Sequence, residues 1–286
     1  MEKVIMGTRL PAKLWLNEVE DSCMSQIMDL TSLPFAFKHI AIMPDAHAGK
    51  GMPIGGVLAT KGVIVPNAVG VDIGCGMCAI KTNLKAEDFS YTDLTSIMSK
   101  IRAVVPLGFD HQNKKQDQEL LPQGFDFEEM PVLKNQYEAC LKQIGTLGGG
   151  NHFIEIDEAA DGTKYLVIHS GSRNLGKQVA ELYQKLAINL NRGYGEYLEK
   201  RDEIIRTYKE QGRKREIQDA LKQLHWQVYE SPTSMPEDLC YLEGIYLEDY
   251  LHDVEICQAF ARRSREKMAE VILERTVMTG SCLLYT

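Results

Sequence analysis

No stretch of the sequence stays apolar for the roughly 20 residues that a membrane helix requires, and runs such as Tyr165 to His169 end far sooner. No membrane span is expected. Positive charge is also in short supply: 32 Lys and Arg face 40 Asp and Glu, for a net charge of −8. Nucleic-acid binding through the overall field is thereby excluded, so a polyanionic partner would have to meet a local patch. The seven cysteines, at 23, 75, 78, 140, 240, 257 and 282, are odd in number and mostly set in apolar or helical text. No charged-then-apolar leader pattern follows Met1-Glu2-Lys3. A disulfide scaffold is not expected, and a reducing cytoplasm is. Two nucleotide-binding signatures are missing as well: no Ser or Thr follows Gly49-Lys50 to make a Walker motif, and no G-x-G-x-x-G opens a helix.

The 286 residues, 44% hydrophobic and 25% charged, suffice for one large or two small globular domains without staples. Glycine is unevenly placed. Eight of the 23 fall between Gly49 and Gly76, and Gly145, Gly148, Gly149 and Gly150 form a second group. Such clusters mark backbone that turns sharply or approaches another group closely. Around them the text predicts short strands at His39–Met43, Gly62–Val65, Met77–Thr82, His152–Ile156 and Tyr165–His169. Helical spacing predicts one helix capped by Asp93 and stopped at Val105-Pro106, and another from Leu133 to Ile144, both packed on sheet. From Lys177 to about Glu274 the text is charged and helix-favouring, broken near Ser231-Pro232 and Met235-Pro236. Arg201 to His225 has the mixed signs of a solvated helical hairpin, and Arg213-Lys214-Arg215, flanked by Glu210 and Glu216, reads as part of that face.

Four segments hold most of the chemistry-bearing residues: Pro44-Asp-Ala-His-Ala-Gly-Lys-Gly51, Val71-Asp-Ile-Gly-Cys-Gly-Met77, Gly145-Thr-Leu-Gly-Gly-Gly-Asn-His-Phe-Ile-Glu155 and His169-Ser-Gly-Ser-Arg173. Asp72 and Cys75, three apart across Ile-Gly, can aim carboxylate and thiolate at one point, while His152 and His169 lie near two further strand ends. This O, S, N, N set suits zinc and, with an open position, manganese, iron or cobalt, so ligand type leaves the metal open. Cys75-Gly-Met-Cys78 has redox spacing, but strand text follows it, and Cys78 is expected in the core. His39, His111, His225 and His252 read as ordinary satisfied polar groups. The successive N–H groups of Gly148 to His152 form a nest suited to phosphate, to which Arg173 would add a guanidinium.

In this order the four segments resemble the RtcB family of RNA ligases, and the similarity resumes more weakly over Leu242 to Ala269. The resemblance implies an α/β fold of the α+β type: a mixed sheet core with metal-binding loops at strand ends, surrounding helices and a helical extension. It implies GTP- and manganese-dependent joining of RNA 3′-phosphate or 2′,3′-cyclic phosphate ends to 5′-hydroxyl ends, in tRNA splicing or RNA repair, through a histidine–GMP intermediate. Cys75 would bridge two Mn2+ ions, Asp72 and His152 would complete the ligands of one, and His169 would serve the other. Asn151, His152, Phe153, Ile154 and Glu155 would contact GTP. Arg173 would lie near the RNA phosphate, with Asp45, His47 and Lys50 bordering the metals in supporting roles. The partners implied are RNA, as tRNA halves or broken ends, and an archease-like activator.

The sequence also departs from the family. Its His-His-Asn stretch and the Ser-His-Gly-Ala-Gly-Arg stretch with the guanylylated histidine are not among these residues, and the helical text from 191 to 225 exceeds the family pattern. The expected organisation is a metal- and nucleotide-binding core at 1–176, a helical segment at 177–276 and an atypical tail at 277–286 left by C-terminal truncation. The alternatives are a ligase-inactive metal- or RNA-binding fragment and a metal-assisted phosphoester hydrolase.

Overall fold

A computed structural model describes residues 3–85, 90–124, 131–229, 235–276 and 280–285. In chain order the first elements are β1 (Lys3–Met6), β2 (Pro11–Leu14), α1 (Asp21–Ser32), β3 (Ala36–His47), β4 (Ile54–Thr60), β5 (Val63–Ile64) and α2 (Pro66–Val69). Next come β6 (Gly76–Lys85), α3 (Tyr91–Val104), α4 (Pro131–Gln143), β7 (Phe153–Glu158), β8 (Thr163–Ser170) and α5 (Asn174–Asn191). The last are α6 (Tyr194–Glu210), α7 (Ile217–Tyr229), β9 (Leu242–Glu243), α8 (Ile245–Arg275) and β10 (Gly280–Tyr285). The expected mixed α/β class is the observed one. The expected break at Ser231-Pro232 lies outside the described residues.

The chain forms two compact units, each from two segments: Met1–Gly70 with Glu181–Asp249, and Val71–Ala180 with Tyr250–Thr286. In the first unit, β1-β2-β3-β4 make a mixed sheet in which β2 and β3 are parallel and the other pairs antiparallel. The parallel pair needs a crossover, which α1 supplies. Its Cys23, Ile27 and Leu30 recur at helical spacing and are buried with Ala12, Leu14, Ile40 and Ile42 of the sheet. β3 runs beyond the predicted His39–Met43, through Pro44 to His47. Its register with β4 shifts between Ile42 and His47, the kind of interruption at which a strand tolerates proline. The charged text from 194 onward is α6 packed on α7, where Arg213 pairs with Glu216 and lies over the Tyr208 ring, as a solvated face would.

In the second unit β10-β6-β8-β7 form a wholly antiparallel sheet. One face packs Cys78, Ile80, Leu166 and Ile168 against Ile97 of α3 and Met268, Ala269 and Ile272 of α8. Each Ile, Leu or Met among them contributes about 1.5–3 kcal/mol when fully buried. Cys78 is a core residue, as expected. The residues from 280 to 285, expected to be part of an atypical tail, form the strand beside β6. One prediction needs correction: Asp93 does not cap α3. The cap is Ser90, whose hydroxyl accepts from the Asp93 amide while the Asp93 carboxylate accepts from the Ser90 amide. Asp93 is the third residue of a reciprocal capping box, a role that its spacing also permits.

Candidate metal centre

Sheet register gathers the ligand-type residues. β6 begins at Gly76, opposite Ser170, and β7 begins at Phe153, opposite His169. Both therefore start where the antiparallel β8 ends. Cys75, immediately before β6, and His152, immediately before β7, thus flank His169 on the central strand. Asp72 joins them through a tight turn in which the Cys75 amide donates to the Asp72 carbonyl at 3.1 Å.

Asp72, Cys75 and His152 offer one ligand atom each within 4.8 Å of one another. His152 Nε2 is 2.9 Å from Asp72 Oδ2 and 4.0 Å from Cys75 Sγ. His169 Nε2 is 2.9 Å from the same sulfur, and the two imidazoles meet edge to face at 5.6 Å. The Leu147 carbonyl, 3.1 Å from His152 Nδ1, can only accept a hydrogen. Nδ1 therefore carries a proton, and Nε2 is the nitrogen turned toward the Asp72 carboxylate. A proton on Nε2, or a cation in its place, satisfies both that nitrogen and the Asp72 carboxylate. A backbone carbonyl orienting the far nitrogen is also the usual support of a metal-binding histidine. This donor set fits a divalent ion of the borderline class.

The electrostatics are those of a carboxylate–thiol pair. Burial works to raise the Asp72 pKa, but hydrogen bonds with His152 and Cys75 and the nearby histidines outweigh it, and the carboxyl lies below its ordinary value. Burial pushes the Cys75 thiol up to about 11, aided by its hydrogen bond to Asp72 and that group's charge, while Arg265 pulls the other way. Gly171 leaves the Asp72 carboxylate its place, because a Cβ there would overlap Oδ1 and lie 2.8 Å from Cγ.

Arg173 closes one side. It is not a glycine, yet it holds a φ of 61°; its Nε donates to Thr146 Oγ1 at 3.1 Å and its Nη2 to the Gly108 carbonyl at 2.7 Å. Burial lowers its pKa, opposed by the charge of Asp72. The Gly145–Asn151 loop leads into β7, whose Phe153 ring stacks edge-on with His169 at 5.0 Å. Ile154 is half-buried, and Asn151 and Glu155 are exposed.

Asp45, His47 and Lys50 belong to the first unit and are exposed. His47 Nδ1 lies 2.8 Å from the Asp45 carbonyl. The loop is fixed from α1: the Gln26 amide donates to the Gly49 carbonyl at 2.6 Å and accepts from the Gly49 N–H at 3.0 Å. Sequence reading missed Gln26, Thr146 and Arg265. Gln26 and Thr146 carry no spacing signal. Arg265 does, since it falls in helical phase with Cys257, Ala261, Met268 and Ile272, but the charged run Arg262-Arg263-Ser264-Arg265 masks it.

Comparison with known proteins bears on this site. The sequence model of the family described as tRNA-splicing ligase RtcB matches residues 26–281. The Escherichia coli K12 protein named RNA-splicing ligase RtcB is 35% identical over 281 residues, covering 92% of this chain and 60% of the relative. The Thermococcus kodakarensis protein named tRNA-splicing ligase RtcB is 28% identical, covering 65% of this chain and 49% of the relative. For the Entamoeba dispar RNA-splicing ligase RtcB homolog 1 the identity is 32%, over 58% of this chain and 40% of the relative. The chain thus spans 60% or less of the length of these relatives.

Proposed function

The chain belongs to the RtcB family, and on that premise we propose that it is the metal- and nucleotide-binding part of a GTP- and manganese-dependent ligase. The reaction would join RNA 3′-phosphate or 2′,3′-cyclic phosphate ends to 5′-hydroxyl ends, with tRNA halves or broken RNA as substrates. The observation that carries this reading is the convergence of Asp72, Cys75, His152 and His169 at one sheet end. Divalent cations at such a set would neutralise phosphate charge and polarise the phosphorus. Asp72, Cys75 and His152 would hold one ion, with Cys75 shared and His169 on the other.

The remaining roles follow from the chain's own groups. The Leu147 carbonyl keeps the His152 proton on Nδ1, leaving Nε2 for binding. Asn151 through Glu155 would contact GTP, with exposed Glu155 available as an acceptor. Arg173, its guanidinium held by Thr146 and Gly108, would meet a phosphate of RNA as a local cation in an otherwise acidic protein. Asp45, His47 and Lys50 would take supporting roles in the same reading. A cytoplasmic setting accords with the six described cysteines, all free of disulfides, and an archease-like activator belongs to the same reading. Among the described residues no helix is long and apolar enough to cross a membrane.

The test is ligation of a 3′-phosphate RNA to a 5′-hydroxyl RNA, with GTP and Mn2+, by a version of the chain extended to carry the Ser-His-Gly-Ala-Gly-Arg stretch that is not among these residues. Joined product that disappears in Cys75→Ala supports the proposal. Tight metal binding without joining would replace it with the second reading, a metal- or RNA-binding protein, which the intact four-residue cluster favours over a purely structural role.

A further inference from the structure

We propose that Arg265 of α8 is the positioning residue that sets the spacing of Cys75 and His169, by clamping the carbonyls beside them. Its Nη1 donates to the Gly74 carbonyl at 2.9 Å and to the Ser170 carbonyl at 2.7 Å. Gly74 immediately precedes Cys75, and Ser170 immediately follows His169. One nitrogen with two hydrogens thus ties together the turn before β6 and the end of β8, at the point where Sγ and Nε2 lie 2.9 Å apart. Arg265 is only 7% exposed. A buried guanidinium is costly unless its hydrogens are used, so a place among two loop carbonyls is one that its bonds must sustain. The proposal rests on the metal-centre reading and adds what holds that centre in register.

Two further contacts make α8 a seat for these loops. Ser264 Oγ accepts from the Gly145 amide at 3.0 Å, anchoring the start of the loop that carries His152. Gly74, with a φ of 81°, lies so near the helix that a Cβ there would meet the Ala261 methyl at 2.9 Å and the Cys257 carbonyl at 3.0 Å. Loops carrying Cys75, His152 and His169 therefore all refer to one stretch of α8, from Cys257 to Arg265. Ligand groups must be held within fractions of an ångström for tight, geometry-selective binding, and outer supports commonly carry about 10–100-fold in metal affinity.

The experiment titrates the 286-residue chain with Co2+ alone, following the thiolate-to-cobalt absorption band, and with Mn2+ by calorimetry. It compares the wild type with Arg265→Met, Arg265→Lys and Met268→Ala. Met268 is buried on the same helix among apolar neighbours and serves as a control for lost packing. Arg265→Met is expected to weaken both ions by about 10–100-fold and to shift the cobalt band, with Arg265→Lys between it and the wild type. Met268→Ala is expected to lower the melting temperature while keeping the wild-type band. Wild-type affinity and band in Arg265→Met would overturn the proposal, as would Met268→Ala reproducing the Arg265→Met effect. Should Arg265→Met not fold, Arg265→Lys decides: weakened binding supports the clamp, and wild-type binding removes it. No thiolate band in the wild type would instead defeat the metal-centre reading itself, a separate outcome.

Discussion

Two motif-rich stretches of this chain look alike as text and differ as structure. Pro44 to Gly51 and Val71 to Met77 each combine glycines with a carboxylate and a further ligand-type side chain. In the second, Asp72 and Cys75 converge with histidines that follow them by about 80 and 95 residues, because antiparallel register brings three strand ends together. In the first, His47 turns to the carbonyl two residues before it, Gln26 fixes the backbone at Gly49, and the side chains face solvent. A motif held by its own backbone presents its side chains outward. One placed at a sheet end donates them to a shared centre.

The largest expected effect separates the two stretches directly. Cys75→Ala should abolish measurable Co2+ and Mn2+ binding, a loss beyond the roughly 10–100-fold that an outer support carries. His47→Ala should leave tight binding of either ion within about twofold, and an equal loss in both variants, read by calorimetry, would erase the distinction. Next comes Gly171→Ala. The new methyl would push the Asp72 carboxylate from its present place, so affinity should fall about 10-fold while the melting temperature changes little. Unchanged Co2+ affinity would show that the carboxylate is not held where the geometry puts it.

How much of this could be read in the sequence follows from the range of the interactions involved. Alternation marks Met77–Thr82 because one face of that strand is buried, and a short apolar run marks Tyr165–His169, where Leu166, Val167 and Ile168 are all buried. Asp72, Cys75, His152 and His169 stand out as candidates because glycine and ligand-type residues cluster around them. Pairing order is another matter. Nothing local shows that β8 lies between β6 and β7, or that residues 280–285 add a strand beside β6. The supports were harder still: Gln26 and Arg265 act on backbone atoms of distant residues and Thr146 on the side chain of Arg173, and a charged residue in a charged run gives no sign that it is buried.

A smaller effect sharpens the contrast from the side of the first unit. Gln26→Ala removes both hydrogen bonds to Gly49, each of which contributes about 0.5–1.5 kcal/mol. Amide exchange at Gly49 should accelerate while metal affinity stays unchanged. If Gln26→Ala weakened Mn2+ binding as strongly as Gly171→Ala, the loop would have to be counted as part of the centre.

The smallest effect concerns a motif held locally within the second unit, the capping box of α3. Hydrogen bonds from the Ser90 hydroxyl and amide hold the Asp93 carboxyl below its ordinary pKa. A carboxylate so lowered stabilises the helix start at pH values above its unfolded pKa, and that contribution is lost as pH falls through the lower folded value. Because the box is exposed, the change should be confined to the first turn of α3 and should not spread to the sheet end. Protection factors of the α3 first-turn amides should decline on acidification, whereas in Ser90→Ala they should begin low and lose most of that pH dependence. A decline of equal size in Ser90→Ala would mean that the helix start answers to some other acid. A parallel decline at Ser170 would mean that local and converging motifs in this unit unfold together, and the contrast drawn above would hold for geometry alone.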